Sequence, residues 1–202
     1  MEMMMVLAIS IIVSVISVMS LVPTMRQYRI TNAYNTTLAA MRQARDNAVS
    51  QQTSYSVTFS SSASPNTITL TPMVIFNGDV PTTTYSLPTD VSFLVQTGFP
   101  SPGPDSYGTG VTAIDFGYTA TSSAGGATTI YFCPDGSAQT TACGAGSGAG
   151  GYAVNWDGGV VYLGRSGDVL SSRAVTLWGG TGRIHGWRLY AKSGGGYQWL
   201  RQ

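Results

Sequence analysis

Twenty consecutive uncharged residues, Met3 to Val22, stand directly behind the chain's single glutamate, Glu2. At about 1.5 Å of rise each, an apolar helix of this length reaches across a hydrocarbon core of about 30 Å. Such a segment does not belong wholly to the core of a soluble domain, so the chain divides into an apolar N-terminal helix and a separate globular part. Glu2 is the costly residue in that arrangement. A carboxylate held deep in a bilayer costs roughly 2.5 kcal/mol or more unless it finds a partner or a polar exit. The run is longer than the ~7–15 residues of a secretory signal core, has no basic residue ahead of it and no Ala-x-Ala behind it. It is therefore expected to be a membrane span over residues 3–22.

The helix carries further signals. Ser10, Ser14, Ser17 and Ser20 recur at spacings of four, three and three, which puts them on one helical face. Small hydroxyl residues let helices approach closely and bond across the contact; the alternative is that each hydroxyl returns to a carbonyl of its own helix. Pro23 removes a backbone donor and is expected to bend or loosen the helix. Beyond it Ile30, Tyr34, Thr37, Met41, Ala44 and Ala48 keep a helical period, with Arg26, Arg29, Arg42, Arg45 and Asp46 on other faces. The pattern predicts one nearly continuous helix from Met3 to about Gln52, its second half packing on the globular domain. The division is a helical region 1–52 and a globular domain 53–202.

From Thr53 the period switches to alternation. Tyr55, Val57 and Phe59 alternate with polar residues, as do Ile68 and Leu70, and Val91–Val95, Val111–Tyr118 and Thr128–Cys133 are further strand candidates. Asn77-Gly78 comes after Met73–Phe76, and Asp157-Gly158 between Val154–Trp156 and Val160–Leu163 is a hairpin signal. Ile184–Ala191 and Tyr197–Leu200 flank Ser193-Gly-Gly-Gly, while 96–110 and 143–151 are Gly/Ser/Pro-rich loops. The expected fold class is α+β: a long N-terminal helix, transmembrane and then amphipathic, capped by an antiparallel β-rich domain of two packed sheets.

Charge and cysteine place this domain. Charged residues are 9% of the chain against a usual ~25%, and the net charge of +1 argues against generic attraction to nucleic acid or anionic membranes. The balance is uneven: residues 53–157 hold six aspartates and no base, whereas residues 158–202 hold Arg165, Arg173, Arg183, Arg188, Lys192 and Arg201 against Asp168. Cys133 and Cys143, with nine residues between them, suit a disulfide in an oxidising compartment; a zinc site needs further ligands, and His185 is the chain's single histidine. Arg26 and Arg29 lie after the span, and the positive-inside rule would draw that side into the cytoplasm, against the disulfide.

A family resemblance resolves that conflict. Glu2-Met-Met-Met-Val-Leu-Ala-Ile-Ser-Ile-Ile resembles the N-terminal segment of type IV pilins and type II secretion pseudopilins, whose mature chain begins Phe-Thr-Leu-x-Glu and continues into such a helix. Met41-Arg-Gln-Ala-Arg-Asp-Asn-Ala-Val-Ser-Gln-Gln followed by Tyr55-Ser-Val-Thr-Phe resembles the helix-to-strand junction of the GspH/FimT-like branch. The resemblance implies that Glu2 is the glutamate that meets a neighbouring subunit's N-terminal amine in a helical filament. It also implies a short basic leader, removed by a prepilin peptidase, which restores the orientation with the β domain outside; here only Met1 precedes Glu2, in place of the family's Gly-Phe-Thr-Leu. The expected function is a structural subunit of a type IV pilus-like filament, held in the inner membrane by one span and then part of a cell-surface filament. Its expected partners are further copies of itself or other pilins. A minor pseudopilin of type II secretion and a DNA-binding minor pilin are the alternatives.

No paired carboxylates or Ser-His-acid arrangement emerges, so the chain is not expected to be an enzyme, and no metal or other cofactor is expected. Cys133-Pro-Asp-Gly and Asn155-Trp-Asp-Gly read as turns rather than calcium loops. The DNA-uptake pilins of the branch carry a C-terminal Gly-Arg-x-Arg phrase, and Gly182-Arg-Ile-His matches its first half. Arg183, His185, Arg188 and Lys192 are thus candidate DNA-contacting residues. The plainer alternative is a strand whose arginines meet acids of a neighbouring subunit.

Overall fold

A computed structural model of the chain describes residues 2–74, 81–108, 112–118, 125–143 and 158–202, with the side chains within them apart from those of residues 2, 8 and 15–21. Helix α1, Glu2–Gln51, is one element of 50 residues, about 75 Å long at the usual rise. Pro23 lies inside α1 and does not end it. The end comes instead at Gln52, whose φ of 53° turns the chain left-handed so that Thr53 N–H reaches back to the Ala48 carbonyl at 3.2 Å. That is a Schellman closure made by glutamine where glycine is usual.

The strands are β1 Tyr55–Ser60, β2 Thr67–Pro72, β3 Thr83–Ser86, β4 Ser92–Phe93, β5 Ile114–Tyr118, β6 Thr129–Phe132, β7 Ala138–Gln139, β8 Gly158–Arg165, β9 Asp168–Trp178, β10 Arg183–Ala191 and β11 Tyr197–Arg201. They form two antiparallel sheets, one ordered β3-β2-β1-β6-β7, the other β11-β10-β9-β8 with β4 and β5 both on the free side of β8. Alternation decides what each sheet buries. In β1, Val57 and Phe59 point inward between Leu70 and Ile68 of β2, while Ser56 and Thr58 point out. The inward side chains of the first sheet, those of the second (Val161, Leu163, Val175, Leu177) and the α1 face Ile30, Ala33, Tyr34, Met41, Ala44, Ala48 make one apolar core. The fold is thus α+β with antiparallel sheets and a long helix, and one face of the helix between Ile30 and Ala48 is part of the core of the β domain.

Several strand expectations are corrected. β9, 11 residues long, went unread because Ser171–Leu177 is buried on both faces and so does not alternate in polarity. Asp157-Gly158 was expected to turn Val154–Trp156 into the strand Val160–Leu163; residues 151–157 lie outside the described residues, but Gly158 belongs to a strand rather than to a turn. Gly158 opens β8 opposite Tyr118, because a Cβ there would strike the Tyr107 ring and one at Gly159 the backbone of Asp115. The hairpin turn of β8 is Ser166-Gly167, with Gly167 at φ 77° and Arg165 paired to Asp168. The expected Val91–Val95 strand contracts to β4, and β3 was not anticipated. Val154–Trp156, Asn77-Gly78 and most of 143–151 lie outside the described residues.

Candidate functional site

One helix has two unlike halves. From Ile30 to Ala48 one face of it, carrying Ile30, Ala33, Tyr34, Met41, Ala44 and Ala48, is sealed in the core, whereas Met3 is 87% exposed, Ile9 57% and Ile12 59%. Met4, Met5, Val6, Leu7, Ile11 and Val13 share that exposure, so the surface is apolar all round rather than striped. A continuous exposed apolar surface of this kind marks an interaction site. The hydroxyl of Ser10 donates to the carbonyls of Val6 (2.9 Å) and Leu7 (3.0 Å), and that of Ser14 to Ser10 (2.7 Å). Both serines are therefore satisfied within the helix and can lie in apolar surroundings without an unmet donor. Of the other expected assembly residues, the side chains of Glu2, Ser17 and Ser20 lie outside those described. Among the described residues no helix is long and apolar enough to cross a membrane; the side chains of 15–21, the later part of the apolar run, are not among them.

Cys133 and Cys143 form a disulfide with their Cα atoms 5.6 Å apart. It braces the segment around β7, where Asp135-Gly136 makes the tight turn (Gly136 N–H to the Cys133 carbonyl, 2.8 Å). Arg45 ties this turn to the β9–β10 turn, donating from Nε to the Gly136 carbonyl at 3.4 Å and from Nη2 to the Thr181 carbonyl at 3.1 Å. The far end of α1 thus pins both sheets together.

The four candidate DNA residues are not brought to one face, which corrects their grouping. Alternation along β10 sends Arg183 and His185 to the side away from α1 and Arg188 to the side of Tyr34, while Lys192 lies in the turn to β11. Arg183 is exposed, but His185 is only 9% exposed and is withdrawn from any ligand surface.

What withdraws it is a polar cluster that no motif announced. The segment after β4 lies across the outer face of the second sheet, with Val95, Phe99 and Tyr107 packed on Val160, Tyr162 and Ala174. Gln96 fastens one end of it, donating to the carbonyls of Arg165 (3.1 Å) and Asp168 (2.9 Å). Asp105 fastens the other. Its carboxylate accepts from the Thr176 hydroxyl and from Nδ1–H of His185 at 3.0 Å, while Trp187 Nε1–H donates to Thr176 Oγ1 at 2.9 Å. Asp105 and His185 are 80 positions apart, so spacing gave no sign of the pair; the one available hint was a lone histidine amid strand aromatics. Nε2 of His185 is buried without a hydrogen-bond partner among the described residues, so no hydroxyl or thiol there completes a nucleophilic triad. The cluster's evident work is to hold the strap.

Burial alone raises the Asp105 pKa, and hydrogen bonds from Thr176, His185 and Trp178, with the field of the His185 ring, more than reverse this, holding it below 3.8. A carboxylate lowered on folding stabilises the fold above its unfolded value and loses that contribution as pH falls through the folded one. Asp105→Asn is therefore expected to lower Tm at neutral pH, with the deficit shrinking as pH falls below about 4. A deficit equal at all pH values would remove the electrostatic role assigned to Asp105.

No protein-family model, no curated protein and no solved structure matches this chain.

Proposed function

We propose that this chain is a structural subunit of a type IV pilus-like filament, inserted in the inner membrane before assembly and packed through the apolar half of α1 in the filament. The observation that carries the reading is the division of one helix between two environments: one face sealed into a β domain from Ile30 to Ala48, and the described apolar residues from Met3 to Val13 exposed in the single chain. An exposed face of that composition costs free energy in water at about 25 cal/mol per Å². A bilayer and a bundle of identical helices both remove that cost, and the second also needs close-packing small residues, which Ser10 and Ser14 supply. The disulfide suits an exported domain.

Glu2 provides the test. In the filament its carboxylate is paired with a neighbour's amine, while in the membrane it needs no particular subunit. Glu2→Gln and Glu2→Ala are accordingly expected to leave the protein in the membrane fraction and to abolish its incorporation into filaments, scored by shearing and immunoblotting. Normal incorporation of either variant would end the role given to Glu2. Dispersal of the candidate arginines over two faces of β10 gives the DNA-binding alternative no such support.

A further inference from the structure

A cavity of about 300 Å³ opens where α1 leaves the β domain, lined by Arg26, Gln27 and Ile30 of the helix and by Arg165, Asp168 and Ser171 of the β8–β9 hairpin. It reaches down to Pro23, one residue past the apolar run. Charge around it is unbalanced. Asp90 and Asp168 are already engaged, Asp90 by Arg165 at 3.2 Å and Arg29 at 3.7 Å, Asp168 by Arg165 at 3.9 Å. Arg26 has no ion-pair partner among the described residues.

Two more guanidiniums stand beyond Ser171. Arg173, two residues along the same strand face, is 2% exposed and lies directly opposite Arg188 of β10. Like charges at opposed positions repel, and a buried charge without a counter-ion is costly. Arg173 gives Nη1 to the carbonyls of Leu170, Ser171 and Ser172, which satisfies a donor and supplies no negative charge. Burial, with the field of Arg188, draws its pKa down to about 10. Arg188 rests on the Tyr190 ring at 5.1 Å and keeps a buried Nε with no partner among the described residues. This end of the domain therefore holds three guanidiniums, Arg26, Arg173 and Arg188, that form no ion pair among the described residues; Asp168, paired with Arg165, acts on Arg173 only through its field.

Location narrows the anion. Val22, just before the cavity, and Met25 and Tyr28, interleaved with its lining residues on the helix, are 41%, 55% and 71% exposed, so the helix surface beside the cavity is apolar and aromatic. A ligand with an anionic head and an apolar tail satisfies both. We propose that the cavity takes the phosphate of an anionic phospholipid headgroup while the chain is membrane-inserted, Arg26 supplying the charge in its lining and Arg188, outside that lining and opposite Arg173, adding to the positive field. This rests on the insertion proposed above. It gives the inserted subunit a fixed tilt and depth, and requires the headgroup to be released when the helix is withdrawn into a filament.

The test uses the full chain in phosphatidylcholine nanodiscs containing a minor fraction of phosphatidylglycerol, with bound lipid read by native mass spectrometry. Phosphatidylglycerol is expected to be retained above its bulk ratio, falling about fivefold with each of Arg26→Gln and Arg188→Gln. Unchanged melting of the β domain in both variants is the control for folding. Enrichment that ignores both substitutions, or no enrichment in an inserted chain, overturns the inference alone. Equal, arginine-dependent stabilisation of the detergent-solubilised chain by inorganic phosphate overturns the lipid assignment. A chain that does not insert, judged by alkaline extraction, overturns the membrane reading and this inference with it.

Discussion

Ile12→Asp is expected to abolish filament formation while leaving the β domain as stable as before. Ile12 is 59% exposed and lies about five helical turns before Ile30, where burial begins, so the domain's core does not feel it. In an apolar bundle or a bilayer the same substitution costs about 2.5–3.5 kcal/mol per subunit, and every subunit of a filament repeats it. The measurement pairs thermal melting of the solubilised chain with filament yield. Wild-type filament yield from Ile12→Asp would remove the apolar half of α1 from the assembly interface, and a lowered Tm would show that it contributes to the fold instead. Glu2→Gln separates the two stages, since it removes the charge proposed to pair with a neighbouring subunit without adding one to the apolar surface.

Met41→Ala, on the same helix, is expected to do the reverse. Met41 is fully buried in the core shared by α1 and both sheets, and truncating a buried methionine costs about 2–5 kcal/mol, a large part of the roughly 5–15 kcal/mol that holds a domain together. For a chain of this size that is a fall in Tm of roughly 4–20 °C. Filaments should form below the new transition, because the apolar half is untouched. An unchanged Tm would mean that the second half of α1 is not a structural part of the β domain. Together the two variants assign one helix to two tasks that a single deletion would confuse.

Much of this was legible in the residues. The long helix, its exit from the apolar run near Pro23, the alternation of Tyr55, Val57 and Phe59 and the cysteine pair were all read from local pattern, because period and spacing act over a few residues. β9 was not legible, since a strand covered on both faces by α1 and by the 94–108 strap loses the alternation by which strands are recognised. Gly158, read with Asp157 as a turn, proved to be a strand residue for a related reason: glycine serves a turn and a close approach of side chain or backbone equally well, and nothing local tells them apart.

The site divides along the same line. The sequence alone determined that an apolar, serine-bearing helix led by a glutamate must find an environment other than water, because the cost of exposing twenty such residues is set by those residues and not by the domain attached to them. Tertiary structure alone decided which charges are available to a partner. Arg183 and Arg188 look equivalent along the chain, yet the pleat turns them to opposite faces of β10, His185 disappears under Asp105, and Arg173, unremarkable in sequence, becomes a buried cation opposite another. Hydropathy is a property of residues, whereas an uncompensated charge is a property of neighbours, and it is the register of β9 against β10 that chose them.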